Sequence, residues 1–343
     1  MTITEHLPVA SSAAPPARPG RGRGFGAGLT VAAVAAGFAV PYVVLDRFAI
    51  GLLLDGVILA LLALGIGFLA RHLGLISLGH TAFFGSAAYG VAVATTQWGW
   101  SPTAAALFGL GLGTVLAVAM GALVVRATGM AFLMLTLAFG QALYTFCVQP
   151  VARPLTGAHD GLQVEYGSSS FFGLTPAELM APGLFWPVAW AALAVSAAAL
   201  WLAGRSRFGV ILAGIKDNRE RMHFSGYRTF GPRLAAFVLS GAVAALGGVL
   251  FALNAAYVSP ETLGFLKAGD SLIAALVGGV GALLGPVLGA LLYVCAQSWF
   301  NTSGNLHLYT GAALVVVMVF LPGGLTGGIG ALFTRFRRGR EDR

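Results

Sequence analysis

Phe48-Ala-Ile-Gly-Leu-Leu-Leu-Asp-Gly-Val-Ile-Leu-Ala-Leu-Leu-Ala-Leu-Gly-Ile-Gly-Phe-Leu-Ala70 holds a single charged residue, Asp55. An α-helix needs ~20 apolar residues to cross the ~30 Å of bilayer hydrocarbon, and this stretch supplies them. Working outward, the pattern returns. Apolar stretches cover about 27–45 on one side, and about 74–96, 103–125, 130–149, 183–204 and 233–256 on the other. The stretch 270–300 is apolar too, but broken at Gly278-Gly-Val-Gly281 and Gly285-Pro286, and a last run over 308–322 ends at Pro322-Gly-Gly324. Composition agrees with this reading. Of the 343 residues, 57% are hydrophobic and 9% charged, against the ~25% charged that a soluble domain carries. Glycine accounts for 49 residues, about twice its usual share, which suits helices that approach closely in a membrane. The expected fold is an all-α polytopic membrane protein of about 8–10 transmembrane helices.

The net charge of +8 is read as topology rather than as a nucleic-acid footprint. With the N-terminus in the cytoplasm, all of the 20 Lys and Arg residues but Arg47, Arg153 and Lys267 fall on the cytoplasmic side, as the positive-inside rule requires. Both termini are then cytoplasmic. Residues 1–26, rich in Pro, Ala, Gly and Arg, read as a disordered basic tail, 27–333 as one membrane domain, and 334–343 as a second basic tail. A polar loop over 150–182 and a short one over 257–268, carrying Ser259, Pro260, Glu261 and Lys267, lie outside. A charged loop over 205–232 lies inside. For the tail to return inside, the broken 270–300 stretch must be a re-entrant hairpin or two short spans, since irregular backbone at that depth has to be buried in protein or line a cavity.

Two glycine-interrupted segments stand out. They are Gly74-Leu-Ile-Ser-Leu-Gly-His-Thr-Ala-Phe-Phe-Gly85 and Gly278-Gly-Val-Gly-Ala-Leu-Leu-Gly-Pro286. Broken helices in corresponding positions of inverted halves point to a transport path, and close helix packing is the alternative. Ser77, His80, Thr81, Phe84, Gly278, Gly279, Gly281 and Gly285 are therefore candidates for a path. Ser77 and His80 share a face if the helix is continuous, and a helix–helix hydrogen bond would account for them equally. Asp55 and Asp270 lie near the outer ends of apolar segments. An intramembrane carboxylate is a functional candidate, but neither has a second carboxylate beside it in the sequence, and each can simply reach water. Cys147 and Cys295 sit in apolar runs and read as small buried hydrophobes. In 205–232, Ile211, Ile215 and Met222 can share a helix face beside the charged patch 216–221, and Gly226 suits a helix end. A short amphipathic helix of this kind docks in a groove on a partner. No G-x-x-x-x-G-K-[ST], H-E-x-x-H or G-x-S-x-G motif occurs, so the chain carries no P-loop for ATP and no hydrolase signature.

These stretches, together with Thr128-Gly-Met-Ala-Phe-Leu-Met-Leu-Thr-Leu-Ala-Phe-Gly140, Thr156-Gly-Ala-His-Asp-Gly-Leu162, Phe208-Gly209 continuing to Gly226-Tyr227, Ser259-Pro-Glu-Thr262 and Leu321-Pro-Gly-Gly-Leu325, carry a resemblance. From about Leu52 to Gly328 the chain resembles the permease subunits of ATP-binding-cassette importers for branched-chain amino acids, most of all the LivM-like inner-membrane subunit. The resemblance implies a non-enzymatic permease in a bacterial cell membrane, a helical bundle with an inverted repeat, and no cofactor of its own. It implies as partners a second permease of the same family, two cytoplasmic ATPases that bind the ATP, and an external substrate-binding protein. Lys216, Asp217, Asn218, Arg219, Glu220 and Gly226 would then belong to a coupling helix over 211–226, and the outer loops with Asp160 and Glu261 would face the binding protein. The chain departs from the family at Gly67, where an Asn is usual, at Arg71-His72-Leu73 in place of a small turn, and at Met222-His223-Phe224 in place of small residues. Similar systems take urea or short amides, so the substrate stays open between these. An ion-coupled carrier is a further alternative.

Overall fold

The computed structural model describes residues 46–166, 170–171 and 173–301, with positions 35, 37–39, 43, 311 and 324–327 besides. Apart from those few positions, the expected first span, the 308–322 run and both tails lie outside the described residues.

Helix α1, Arg47–Leu73, is the axis of the bundle. Asp46 caps it by accepting from the Phe48 N–H at 3.1 Å, and Gly74, at a φ of 65°, closes it with its N–H on Ala70 O. It is buried on every side from Gly56 to Ala70, as a helix apolar all round must be. Helix α2, His80–Thr96, packs on α3, Pro102–Val124, which Ser101 and Pro102 start in the manner usual for helix N-termini. Helix α4, Gly129–Val148, lies at the edge. Helix α5, Pro182–Arg205, packs against α1, and its Trp186 Nε1 donates to Gly37 O at 2.8 Å. Two short helices follow, α6 (Arg207–Asp217) and α7 (Arg219–Phe224). Helix α8, Phe230–Ala255, then returns through the centre, packing on α1, α2 and α3. Five of these helices, α1, α3, α4, α5 and α8, are long and apolar enough to cross a membrane. The chain is an all-α polytopic membrane protein.

The third expected span is helical only from His80. Residues 74–79 are irregular, and most of them are buried. Leu78 N donates to Thr136 Oγ1 at 3.3 Å, and Gly79 lies against Met120 and Thr136. This is non-helical backbone made tolerable by burial in protein.

The broken 270–300 stretch folds as a helical hairpin, α9 (Phe265–Gly278) and α10 (Gly285–Asn301). Gly278 faces Gly285 and Gly289, while Asp270 meets Tyr293, so the two helices run antiparallel. A Cβ on Gly278 would fall on the Gly285 carbonyl oxygen, so glycine is what lets the arms close. Pro286 sits on Gly67 of α1, placing the turn about 9 Å short of the end of α1 at 1.5 Å per residue. At 14 residues, α9 is about 21 Å long, too short to cross. Thr326 Oγ1 donates to Gly278 O at 3.0 Å, so the 324–327 segment meets the turn.

One end of the bundle is closed by a cap built from the 150–181 segment. Strand β1, Leu162–Gln163, pairs antiparallel with β2, Tyr257–Val258, with Leu162 opposite Val258. Thr96 Oγ1 donates to Gln163 O at 2.5 Å and Tyr166 Oη to Leu253 O at 2.5 Å, stitching the cap to α2 and α8. The opposite end carries α6, α7 and, among the described residues, most of the cations, and is here called the basic end.

Candidate functional site

At the cap end, α1, α9 and α10 leave a cavity of about 620 Å³. Asp55 faces it from α1. Lys267 and Asp270 face it from α9, three residues apart and so on one helix face. Tyr293 of α10 donates its hydroxyl hydrogen to Asp270 Oδ1 at 2.6 Å, a length typical of a bond to a charged oxygen. Lys267 feels the charge of both carboxylates yet closes an ion pair with neither. Among the described residues the one ion pair is Arg153–Asp160 at 3.4 Å, on the exposed cap. The remaining wall is apolar, from Ile58, Leu59, Phe84 and Phe251, with the last two rings 5.5 Å apart. Gln297 and Ser298 add polar groups where α10 ends.

This grouping corrects the sequence reading on two points. Lys267 belongs to helix α9 and lines the cavity, rather than lying in an outer loop over 257–268. Asp55 and Asp270, which have no carboxylate neighbour in the sequence, share one cavity. The local signal for half of this was the Lys267–Asp270 spacing. Nothing local joins Asp55 to them.

The other path candidates are elsewhere. Ser77 is not helical, so it shares no helix face with His80, and its Oγ accepts from Gly79 N at 3.2 Å. His80 Nε2 lies 3.1 Å from Ser240 Oγ. The Ser240 hydroxyl hydrogen goes to Phe237 O at 2.8 Å, so the histidine must donate to it and Nδ1 is left as a bare, buried acceptor. Thr81 Oγ1 donates to Leu78 O at 3.4 Å. All three are buried in packed protein, and of the four polar and aromatic candidates only Phe84 reaches the cavity. Gly278, Gly279 and Gly285 form the hairpin turn, and Gly281 is exposed with open space around it. Cys147 is buried as expected, but Cys295 is exposed on α10.

At the basic end the expected single helix over 211–226 is two helices. Asn218 is extended (φ −158°, ψ 103°), and its side chain accepts from Arg221 N at 2.8 Å, a side-chain bond that competes with helix continuation and starts a new one. Ile215 of α6 is buried and Met222 folds back from α7 onto Gly214. Gly226, at a φ of 85°, bonds His223 O at 3.0 Å and ends the unit. Three cations reach the carbonyls that close other helices. Lys216 Nζ donates to Arg71 O at 2.9 Å, at the end of α1. Arg219 donates to Arg126 O at 3.2 Å and Arg233 to Ala127 O at 2.7 Å, just past α3. Cations are favourable at such termini. Asp217 and Glu220 are exposed, as are Val210, Phe224 and Tyr227.

In the cap, Asp160 pairs with Arg153, and its carbonyl accepts from Tyr257 Oη at 2.8 Å. Glu261 lines a cleft of about 200 Å³ with Tyr144, His159 and Ser259. Nearby, Glu178 accepts from the N–H and hydroxyl of Thr175, which holds its carboxyl below the usual range.

Residues 48–322 match the family described as branched-chain amino acid transport system / permease component. Among curated proteins, the autoinducer 2 import system permease protein LsrC of Yersinia pseudotuberculosis serotype O:1b (strain IP 31758) is 30% identical over 185 residues, 48% of this chain and 51% of that protein. The protein of the same name from Escherichia coli O9:H4 (strain HS) is 30% identical, over 48% of this chain and 52% of its own length. The chain spans about half the length of the curated relatives it matches. No solved structure matches.

Proposed function

The chain belongs to the family of branched-chain amino acid transport permeases, and from that premise we propose that it is the membrane-spanning subunit of an ATP-driven importer. It is not an enzyme. A second permease of the same family completes the pathway, and two cytoplasmic ATPases bind the ATP, so this chain needs no cofactor. An external binding protein docks on the cap, near Asp160 and Glu261, and releases solute into the bundle. The basic end, with both termini, then faces the cytoplasm.

The observation that carries this reading is the α6–α7 unit. It offers an apolar and charged surface (Val210, Lys216, Glu220, Phe224, Tyr227) to a partner, while Lys216 and Arg219 tie it to α1 and to the residues after α3. A partner ATPase that binds two arrangements of this unit differently shifts the bundle between outward- and inward-facing states. Branched-chain amino acids, as for a LivM-like subunit, are the substrate we favour. A small polar solute is the second reading, favoured by relatives named for autoinducer 2 import, and urea or short amides fall in the same class.

Purification in mild detergent, with mass spectrometry of what co-elutes, tests the assembly. The expected result is a P-loop ATPase and a second permease, both lost when 216–221 are changed to alanine. A chain that runs alone and transports on an ion gradient without ATP would be an ion-coupled carrier, and the proposal would be wrong.

A further inference from the structure

We infer that Arg126, Arg219 and Arg233 form a site for a phosphate group at the basic end, where α3 ends and α8 begins. The inference goes beyond the importer reading and stands on the packing at that end alone.

The three arginines gather on one turn, the residues between α3 and α4. Arg219 donates to Arg126 O at 3.2 Å and Arg233 to Ala127 O at 2.7 Å. Bonds to consecutive carbonyls bring the two guanidinium groups close together, and Arg233 feels the positive charge of Arg219. The Arg126 guanidinium lies 5.6 Å from the centre of the Phe230 ring, at the start of α8. Three like charges are thus held near one another with no carboxylate bonded to any of them. Among the described residues the one ion pair is in the cap, and Glu220, next to Arg219 in the chain, is exposed. Arg233 is 2% exposed, and its Nη1 is buried with no hydrogen-bond partner. A buried charged donor without an acceptor is costly, and an ionisable group kept inside a membrane domain at such cost marks a functional site. Helix α4 adds to the positive potential. It starts at Gly129, two residues past Ala127, and Thr128 gives it no side-chain cap, so its first N–H groups are open to an anion.

A phosphate group supplies what this arrangement lacks. Its oxygens accept from several forked guanidinium groups at once, and the bare Nη1 of Arg233 is among the donors it would satisfy. Depth points to the source. Helices α3 and α8 are both long and apolar enough to cross a membrane, so their ends place the arginines at the level of lipid headgroups. Leu123, Met130 and Phe230 beside them are exposed and apolar, a surface for acyl chains. The lipid that fits is anionic, since the ammonium of a zwitterionic headgroup would sit among cations. Free phosphate would satisfy the same donors and leave that apolar surface uncovered.

The test is native mass spectrometry of the full chain, with whatever partners co-purify, from maltoside micelles holding equal amounts of dioleoylphosphatidylglycerol and dioleoylphosphatidylcholine. Phosphatidylglycerol should be retained in preference by about fivefold or more, the worth of one arginine near a lipid surface. Arg126→Gln, which removes one charge, should lower that preference about fivefold. Arg233→Lys, which keeps the charge and loses the fork, should lower it as well. Arg207→Gln, which removes an exposed cation of the same end outside the cluster, should leave it unchanged. Arg126 is exposed and its side chain is held by a ring contact alone, so its variant stands even if Arg233→Lys fails to fold. Radiolabelled inorganic phosphate separates the two sources of the phosphate group. Phosphatidylglycerol retained against millimolar phosphate assigns the site to lipid, and phosphatidylglycerol displaced by it assigns the site to a free phosphate. Equal retention of both lipids together with no phosphate binding overturns the site. So does a folded Arg126→Gln chain that binds like the parent, or an Arg207→Gln chain that loses as much. Lipid excluded whenever an ATPase is bound would give the arginines to that partner's carboxylates, and the site would be overturned too.

Discussion

Gly67 faces Pro286 so closely that a Cβ would meet the proline ring. The seat of the hairpin therefore depends on the absence of a side chain at Gly67. Gly67→Asn should lower stability by about 1–3 kcal/mol, the cost of overpacking a filled contact. Thermal unfolding in detergent reads this as a reduced Tm. Gly111→Ala on α3, with no atom within 4 Å of the added methyl, should leave Tm unchanged or slightly raised, since Ala is the better helix residue. Equal effects at both positions would refute the packing assignment. The residue scale is also where the sequence was least legible. Ser77 and His80 stood out as polar residues in an apolar run, yet the partner of His80 is Ser240, on a helix that the local sequence around His80 does not mention. Lys267 passed for a loop residue because it lies close to Pro260 and Gly264, and only the i,i+3 spacing to Asp270 hinted that both project from one helix. Asp55 joins them through tertiary packing, which no short-range pattern encodes.

Among elements, α6 and α7 carry the most direct test. Lys216 and Arg219 are each bonded to a carbonyl at or just past a helix C-terminus, an interaction worth about 0.3–1 kcal/mol when exposed. Changing both to Gln should leave the bundle folded but loosen its tie to the partner. In proteoliposomes of the assembled importer, solute moved per ATP should fall roughly two- to fivefold while ATP hydrolysis persists. An unchanged ratio would show that the two bonds carry no coupling. Asn218→Ala removes the cap between the helices at a cost of about 1 kcal/mol, and should let them merge into the single helix that the residue pattern alone suggests. Helix starts and stops were readable only in part. Gly226 announced a helix end by capping chemistry, and the Gly278–Pro286 interruption announced a break there, read as a hairpin or two short spans, whereas the start at Ser101-Pro102 and the stop at Gly74 were not read as caps. Asn218 was missed because the apolar spacing of Ile215 and Met222 runs straight through it.

For the whole molecule, fold class was legible from composition alone, because lipid leaves helices as the natural solution for long apolar runs. What composition leaves out is which helix takes the centre. In the most apolar stretch of α1, 83% of residues are buried inside the chain, against 22% in α4 and 33% in α3 and α5. The outer helices show their apolar surface to lipid or to another subunit. Orientation is open to direct measurement. With Cys147 and Cys295 changed to Ala, Ser170→Cys in the cap should react with an impermeant maleimide in right-side-out vesicles. Ser225→Cys, beyond α7, should react only after permeabilisation, and the reverse pattern would invert the topology. One further consequence follows from α8. It runs unbroken for 26 residues, Phe230–Ala255, from the basic end, where Arg233 is bonded beside α3, to strand β2 at the cap. At 1.5 Å per residue it is a rod about 39 Å long, nearly the depth of the membrane. A few degrees of tilt imposed near α6 and α7 would swing its far end by about 2–3 Å. Phe251, near that end, lines the cavity, so such a tilt would move one wall of it as a crowbar does, with no signal having to pass from residue to residue.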